Sequence, residues 1–198
     1  MMAHMLGAMR CIARYIALAL LASTACAPTA LMGTDLEGTE APDFTLTDGI
    51  SGQTVSLSAL RGGVVALAFL YTNCPDVCPL TASNFRAAQR ALGSDAGAVT
   101  FVAVSVDPDR DTPKATQDFS AAHDLRDNWR YLIGGRAQLA PVWAAYGIAS
   151  SAGSGAATVA HNDAIYLIDR RGRERTLLHS DRSASELAAN LRILVGER

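Results

Sequence analysis

Cys74 and Cys78 stand four positions apart in the run Tyr71-Thr-Asn-Cys-Pro-Asp-Val-Cys-Pro79, and each is followed by proline. This is one residue wider than the Cys-x-x-Cys spacing of the ordinary redox dithiol. The wider loop is adjustable and can close a disulfide, whose Cα atoms must lie within about 7 Å of each other. It can equally splay two thiolates around a soft metal ion. Two sulfurs leave such an ion under-coordinated, so a third ligand is expected. The chain has four histidines. His4 falls within the leader, while His123 near a helix end and His179 on a late strand have ordinary surface roles open to them. His161 stands apart, directly after the small-residue loop at 150–157 and at the foot of a strand, a junction that can swing toward the dithiol. Two thiolates and one imidazole suit Cu(I) and also accommodate Cu(II), whereas Zn(II) usually takes a fourth ligand.

The elements that must position these residues can be read on both sides of the dithiol. Val64-Val-Ala-Leu-Ala-Phe-Leu70 is a continuous apolar run, as expected of a strand buried on both faces of a mostly parallel sheet. Pro79 suits the first position of a helix over 80–92, where a missing N–H costs nothing. Residues before proline avoid helical geometry, which puts both cysteines on a strand-to-helix turn with Cys78 near the N-cap. Free N–H groups and the positive end of the helix dipole there predict a lowered thiol pKa.

Downstream, Val99-Thr-Phe-Val-Ala-Val-Ser-Val106 is a second buried strand ending in Asp107-Pro-Asp-Arg-Asp-Thr-Pro113. Thr112 and Pro113 predict an N-cap and a first helical position, with the helix running to about His123. A third strand at 129–133 and a short helix at 138–146 stopping at Gly147 follow. The chain then returns as a strand to Asp169, turns at Arg170-Arg-Gly-Arg173 and runs back to His179. Ser183 and Glu186 form a capping box for a closing helix. Upstream, 41–48 and 52–57 predict a hairpin. The order predicts an α/β fold, and the dithiol at the first strand-to-helix junction makes it a thioredoxin-like sandwich with an N-terminal β-hairpin and an inserted hairpin and loop carrying His161.

The first 25 residues carry the pattern of a signal peptide, with Arg10 and Arg14 ahead of the short apolar run Ile16-Ala-Leu-Ala-Leu-Leu-Ala22. Cys26, after Ser23-Thr-Ala, resembles the lipid-modified cysteine of a bacterial lipoprotein; cleavage after Ala25 with Cys26 incidental is the alternative. Residues 26–40 read as a flexible tether and 41–198 as the folded domain. With Cys11 in the leader and Cys26 at the anchor, Cys74 and Cys78 are the cysteines left to the domain, and one close pair is not a disulfide scaffold. A net charge of −2 with no basic block argues against nucleic acid as a partner.

The run at 71–79, the segment Ser105-Val-Asp-Pro-Asp-Arg-Asp-Thr-Pro113, and His161 ahead of Leu167-Ile-Asp169 together resemble the Sco/SenC family from about Ala41 onward. That resemblance implies a thioredoxin-like copper protein, tethered on the periplasmic side of a bacterial membrane, that helps assemble the copper A centre of cytochrome c oxidase. It implies Cys74, Cys78 and His161 as copper ligands, with the oxidase subunit that carries copper A and a thiol–disulfide reductant as partners. Many relatives use a transmembrane helix, where this leader looks cleavable and lipid-bearing. An exported thiol–disulfide reductase using Cys74 and Cys78 as its catalytic dithiol is the competing function. A peroxiredoxin-type peroxidase is disfavoured, because Thr72 lies only two residues before Cys74 and no proline precedes it. Asp107, Arg110 and Asp111 are compatible with an ordinary helix start or with support of the site. Asp76 could tune the thiols or meet a partner.

Overall fold

The computed structural model describes residues 30–125, 127–148 and 163–197. Among these residues eight strands form one mixed sheet: β1 (Thr34–Glu40), β2 (Thr45–Asp48), β3 (Thr54–Ser56), β4 (Val64–Leu70), β5 (Val99–Ser105), β6 (Trp129–Ile133), β7 (Ile165–Ile168) and β8 (Arg173–Leu178). Their spatial order is β1-β8-β7-β4-β5-β6-β2-β3. The continuous apolar runs became the central strands. β4 and β5 pair in parallel from Val64↔Val99 to Leu70↔Ser105, and β6 extends the parallel set. Every residue of β4 is buried, which is why its sequence shows no alternation. β7 runs antiparallel to β4 on the other side, with Ile165 opposite Ala68.

Among the described residues four α-helices cover the sheet: α1 (Val77–Leu92), α2 (Pro113–Ala122), α3 (Arg136–Ala145) and α4 (Ala184–Gly196). On one face Phe85 of α1 sits 5.1 Å from the ring of Phe101 and 6.0 Å from that of Trp129, and Phe119 of α2 meets Tyr131 edge-on. α4 packs beside α1. On the other face Tyr146, at the end of α3, joins Phe69 and Tyr166. The caps lie where their residues predict: the Thr112 hydroxyl accepts from Ala115 N–H, and Ser183 and Glu186 make their reciprocal box. Among the described residues no helix is long and apolar enough to cross a membrane.

Two boundaries differ from the sequence reading. Thr34–Glu40, expected as part of a tether, is strand β1, paired antiparallel with β8 through an irregularity between Asp35 and Thr39. Its charged, mostly exposed residues are those of a sheet edge, where polar side chains discourage further pairing, and such a strand looks like linker in sequence. Asn190 of α4 secures the start of this segment, accepting from Met32 N–H at 2.9 Å and donating to Met32 C=O at 2.8 Å. The second difference is that α1 begins at Val77 and not at Pro79, so Cys78 lies inside the first turn. Pro79 is still tolerated there, since first-turn N–H groups have no intrahelical partner.

Candidate metal centre

β4 delivers its C-terminal end, and with it the dithiol, to the rim of the sheet. After Leu70 the chain leaves the ladder, although Val106 N–H still donates to Leu70 C=O at 2.9 Å and keeps the ends of β4 and β5 together. Cys74 N–H donates to Tyr71 C=O at 3.3 Å, which folds the loop back on itself. Cys74 and Cys78 are not joined in a disulfide. The two sulfur groups are close enough to hydrogen-bond to each other. Cys78 is completely covered, whereas Cys74 keeps 9% of its surface, so a visitor from solvent meets Cys74 first. Pro75 and Asp76 between them are exposed, and Asp76 occupies the N-cap without a side-chain cap bond.

The expectation of a thiol acidified by the helix terminus fails for Cys78. Its pKa is raised, first by burial, then by the hydrogen bond and charge of Cys74 and by the charge of Asp111. A dipole end worth about 0.3–1 kcal/mol does not offset removing a thiolate from water. Cys78 is therefore stored as protonated sulfur until an ion or a partner displaces its proton.

Under the loop lies a polar cluster joining the loop after β4, the end of β5 and the middle of β6. Asp111, 4% exposed, accepts from Thr72 N–H at 2.9 Å and from Thr72 Oγ at 2.7 Å. Its other oxygen accepts from Ser105 Oγ at 2.6 Å and, more weakly, from Tyr131 OH at 3.4 Å. Burial raises the Asp111 pKa, and the bonds from Ser105 and Thr72 oppose that rise. Tyr131 is pushed up by burial and by the nearby charges of Asp111, Cys78 and Cys74, which places all four groups within electrostatic reach of one another. Asp107 accepts from Arg110 Nε, and the Arg110 guanidinium lies 5.9 Å from the centre of the Tyr71 ring.

Thus the fold brings Cys74 and Cys78 together and places Asp111 beneath them, with Thr72, Ser105 and Tyr131 completing the support. The last three lie on different elements, and Thr72 and Ser105 carry no local pattern that marks them. His161 lies outside the described residues. The chain reappears at Asp163, whose carboxylate accepts from Ser180 N–H at 2.7 Å and Ser180 Oγ at 2.6 Å. His179 Nδ1 bonds to the Asp163 carbonyl, so its ordinary role holds. Two residues on, Ile165 pairs with Ala68, which puts the start of β7 at the same sheet end as the dithiol. His123 borders an open groove with Thr72, Asn73, Pro79 and Phe119; its ring lies 4.5 Å from Phe119, and burial lowers its pKa. Among the described residues no group of three or more His, Cys, Asp or Glu is arranged to hold a metal ion.

The family model described as SCO1/SenC matches residues 33–196. The chain belongs to the SCO1/SenC family. Among curated proteins it is 31% identical over 156 residues to the mitochondrial SCO2 homologue of Bos taurus, covering 76% of this chain and 58% of that one. It is 37% identical over 84 residues to the SCO1 homologue of Bacillus subtilis, covering 42% and 44% respectively. The matched stretches are thus less than two thirds of those relatives' own lengths. Among solved structures, copper-bound ScoI of Bradyrhizobium japonicum superposes with a TM-score of 0.70 at 33% identity, covering 79% of this chain and 99% of that one. The fold is that of the thioredoxin-like Sco proteins, as the order of elements predicts.

Proposed function

We propose that this chain is a membrane-tethered copper metallochaperone. It binds one copper ion through Cys74, Cys78 and His161 and delivers it to the copper A centre of cytochrome c oxidase during assembly. The observation that carries the reading is the pair of adjacent cysteines, not joined in a disulfide, at the junction of β4 and α1 in an SCO1/SenC chain. Copper in Bradyrhizobium ScoI supports the choice of ion. The start of β7 at the dithiol end of the sheet supports His161, two residues before Asp163, as the third ligand. Soft thiolates hold Cu(I), and an imidazole completes a set that also accepts Cu(II). Cys74, as the accessible sulfur, would be the ligand an acceptor thiolate displaces first. Only the reduced pair can act, since a disulfide offers no thiolate. We place the protein on the periplasmic side of a bacterial membrane, anchored through lipidated Cys26.

A second reading, an exported thiol–disulfide reductase acting on the acceptor's cysteines, is favoured by the unequal exposure of the two thiols. Cys74 would attack a partner disulfide and buried Cys78 would resolve the mixed disulfide. Anaerobic titration of the reduced protein with Cu(I) and with Cu(II), wild type beside His161→Ala, separates the two. The metallochaperone reading expects one ion per chain, with Cu(II) uptake lost and Cu(I) uptake weakened in the variant while disulfide exchange persists. Equal uptake by both proteins counts against it.

A further inference from the structure

We infer that Asp111 is a positioning residue of the dithiol, holding the Thr72 end of the loop so that both sulfurs lie side by side before an ion or partner arrives. The inference rests on the reading above that this pair is the working chemistry. It begins from a carboxylate that the start of α2 does not need. The start of α2 is already provided for: Thr112 supplies the cap and Pro113 the first helical residue. Asp111 is nevertheless buried, where a carboxyl group is costly unless its oxygens are well bonded.

Its bonds show what it holds. The four groups that donate to it are uncharged, and they come from three places: the loop after β4, the end of β5 and the middle of β6. One oxygen takes both the N–H and the hydroxyl of Thr72, two residues before Cys74. The other oxygen is fixed to the sheet by Ser105 and Tyr131. Ser105 is itself held, since its Oγ also accepts Asp107 N–H at 3.1 Å and its C=O accepts Trp143 Nε1 at 2.9 Å. The carboxyl group is therefore a bridge between a rigid strand end and a loop whose opposite end is fixed by α1. A loop pinned at both ends loses less freedom when its two sulfurs are joined, by a metal or by a bond.

The test uses the full-length protein in detergent, metal-free, so that it stands even if no copper is bound. Wild type, Asp111→Ala, Asp111→Asn and Thr72→Ala are equilibrated in glutathione buffers, and the fraction of Cys74–Cys78 disulfide is read after acid quench and alkylation. In this reaction the dithiol loses two electrons and two protons as the S–S bond forms, and glutathione disulfide takes them up to give two glutathione molecules. Asp111→Ala should lower the constant for disulfide formation about tenfold, a rise in potential of about 30 mV. Thr72→Ala should shift it the same way by about threefold, because the N–H bond remains. Asp111→Asn should stay within about twofold of wild type, since its C=O can accept from Thr72 while its NH2 donates to the Ser105 and Tyr131 oxygens. A role in stability alone would leave this constant unchanged in folded protein. Wild-type values in both Asp111→Ala and Thr72→Ala overturn the inference. So does an Asn variant displaced as far as Ala, which would make charge the cause. If Asp111→Ala does not fold, Thr72→Ala decides, because that side chain is only half-buried in a loop.

Discussion

Raising the pH should tighten Cu(I) capture by the reduced protein, at least about tenfold for each pH unit near neutrality. Cys78 is fully covered, and burial with the neighbouring Cys74 and Asp111 holds its thiol above the ordinary range of about 8.5. Between about pH 6 and pH 8 the free protein therefore carries that proton, while the copper-bound form cannot, because the ligand is the thiolate. Each proton expelled on binding is worth a factor of ten per pH unit, about 1.4 kcal/mol. Over the two-unit window the gain from Cys78 alone is about a hundredfold, or about 2.7 kcal/mol, with higher pH favouring the bound state. Competition against a chromophoric Cu(I) chelator, corrected for the chelator's own protonation and run at constant ionic strength, measures this slope. Cys78→Ser should flatten it by one proton. An affinity that stays level or falls as pH rises would refute the reasoning, since Cys78 would then be ionised already or not a ligand.

Three further outcomes follow from the same structure. The raised Cys78 pKa means the folded state keeps its proton longer than the unfolded chain; its contribution is complete below about pH 8.5 and lost above it, at up to about 1.4 kcal/mol per pH unit. Urea unfolding of the reduced protein at rising pH should show this loss, and Cys78→Ala should remove it. Phe85→Ala empties a fully buried site between α1 and the rings of Phe101 and Trp129 and should cost about 3–5 kcal/mol in the same assay. Asn190→Ala removes both bonds to Met32 and should speed amide exchange across the start of β1 while leaving α1 protected.

The parts of this molecule legible in its sequence are those governed by local or periodic chemistry. β4 and β5 declare themselves as unbroken apolar runs, Thr112 and Ser183 as caps, and Cys74 as part of a turn between strand and helix. Strand β1 was hidden because an edge strand carries the charges of a linker. The direction of the Cys78 pKa was hidden because the helix terminus can be read from sequence, whereas the complete burial that overrides it comes from packing of the sheet and helices above it. The support of the loop was hidden for a similar reason: Thr72, the Ser105–Asp111 segment and Tyr131 are far apart in sequence and meet only where the loop after β4, the end of β5 and the middle of β6 converge.

X-ray absorption at the copper edge, on the Cu(I)-loaded full-length protein and on His161→Ala, addresses the ligand set itself. The account predicts two sulfur scatterers and one imidazole around a single copper in the wild type, with the imidazole lost and both sulfurs kept in the variant. A wild-type site with a single sulfur, or with an imidazole signal that survives His161→Ala, would contradict it.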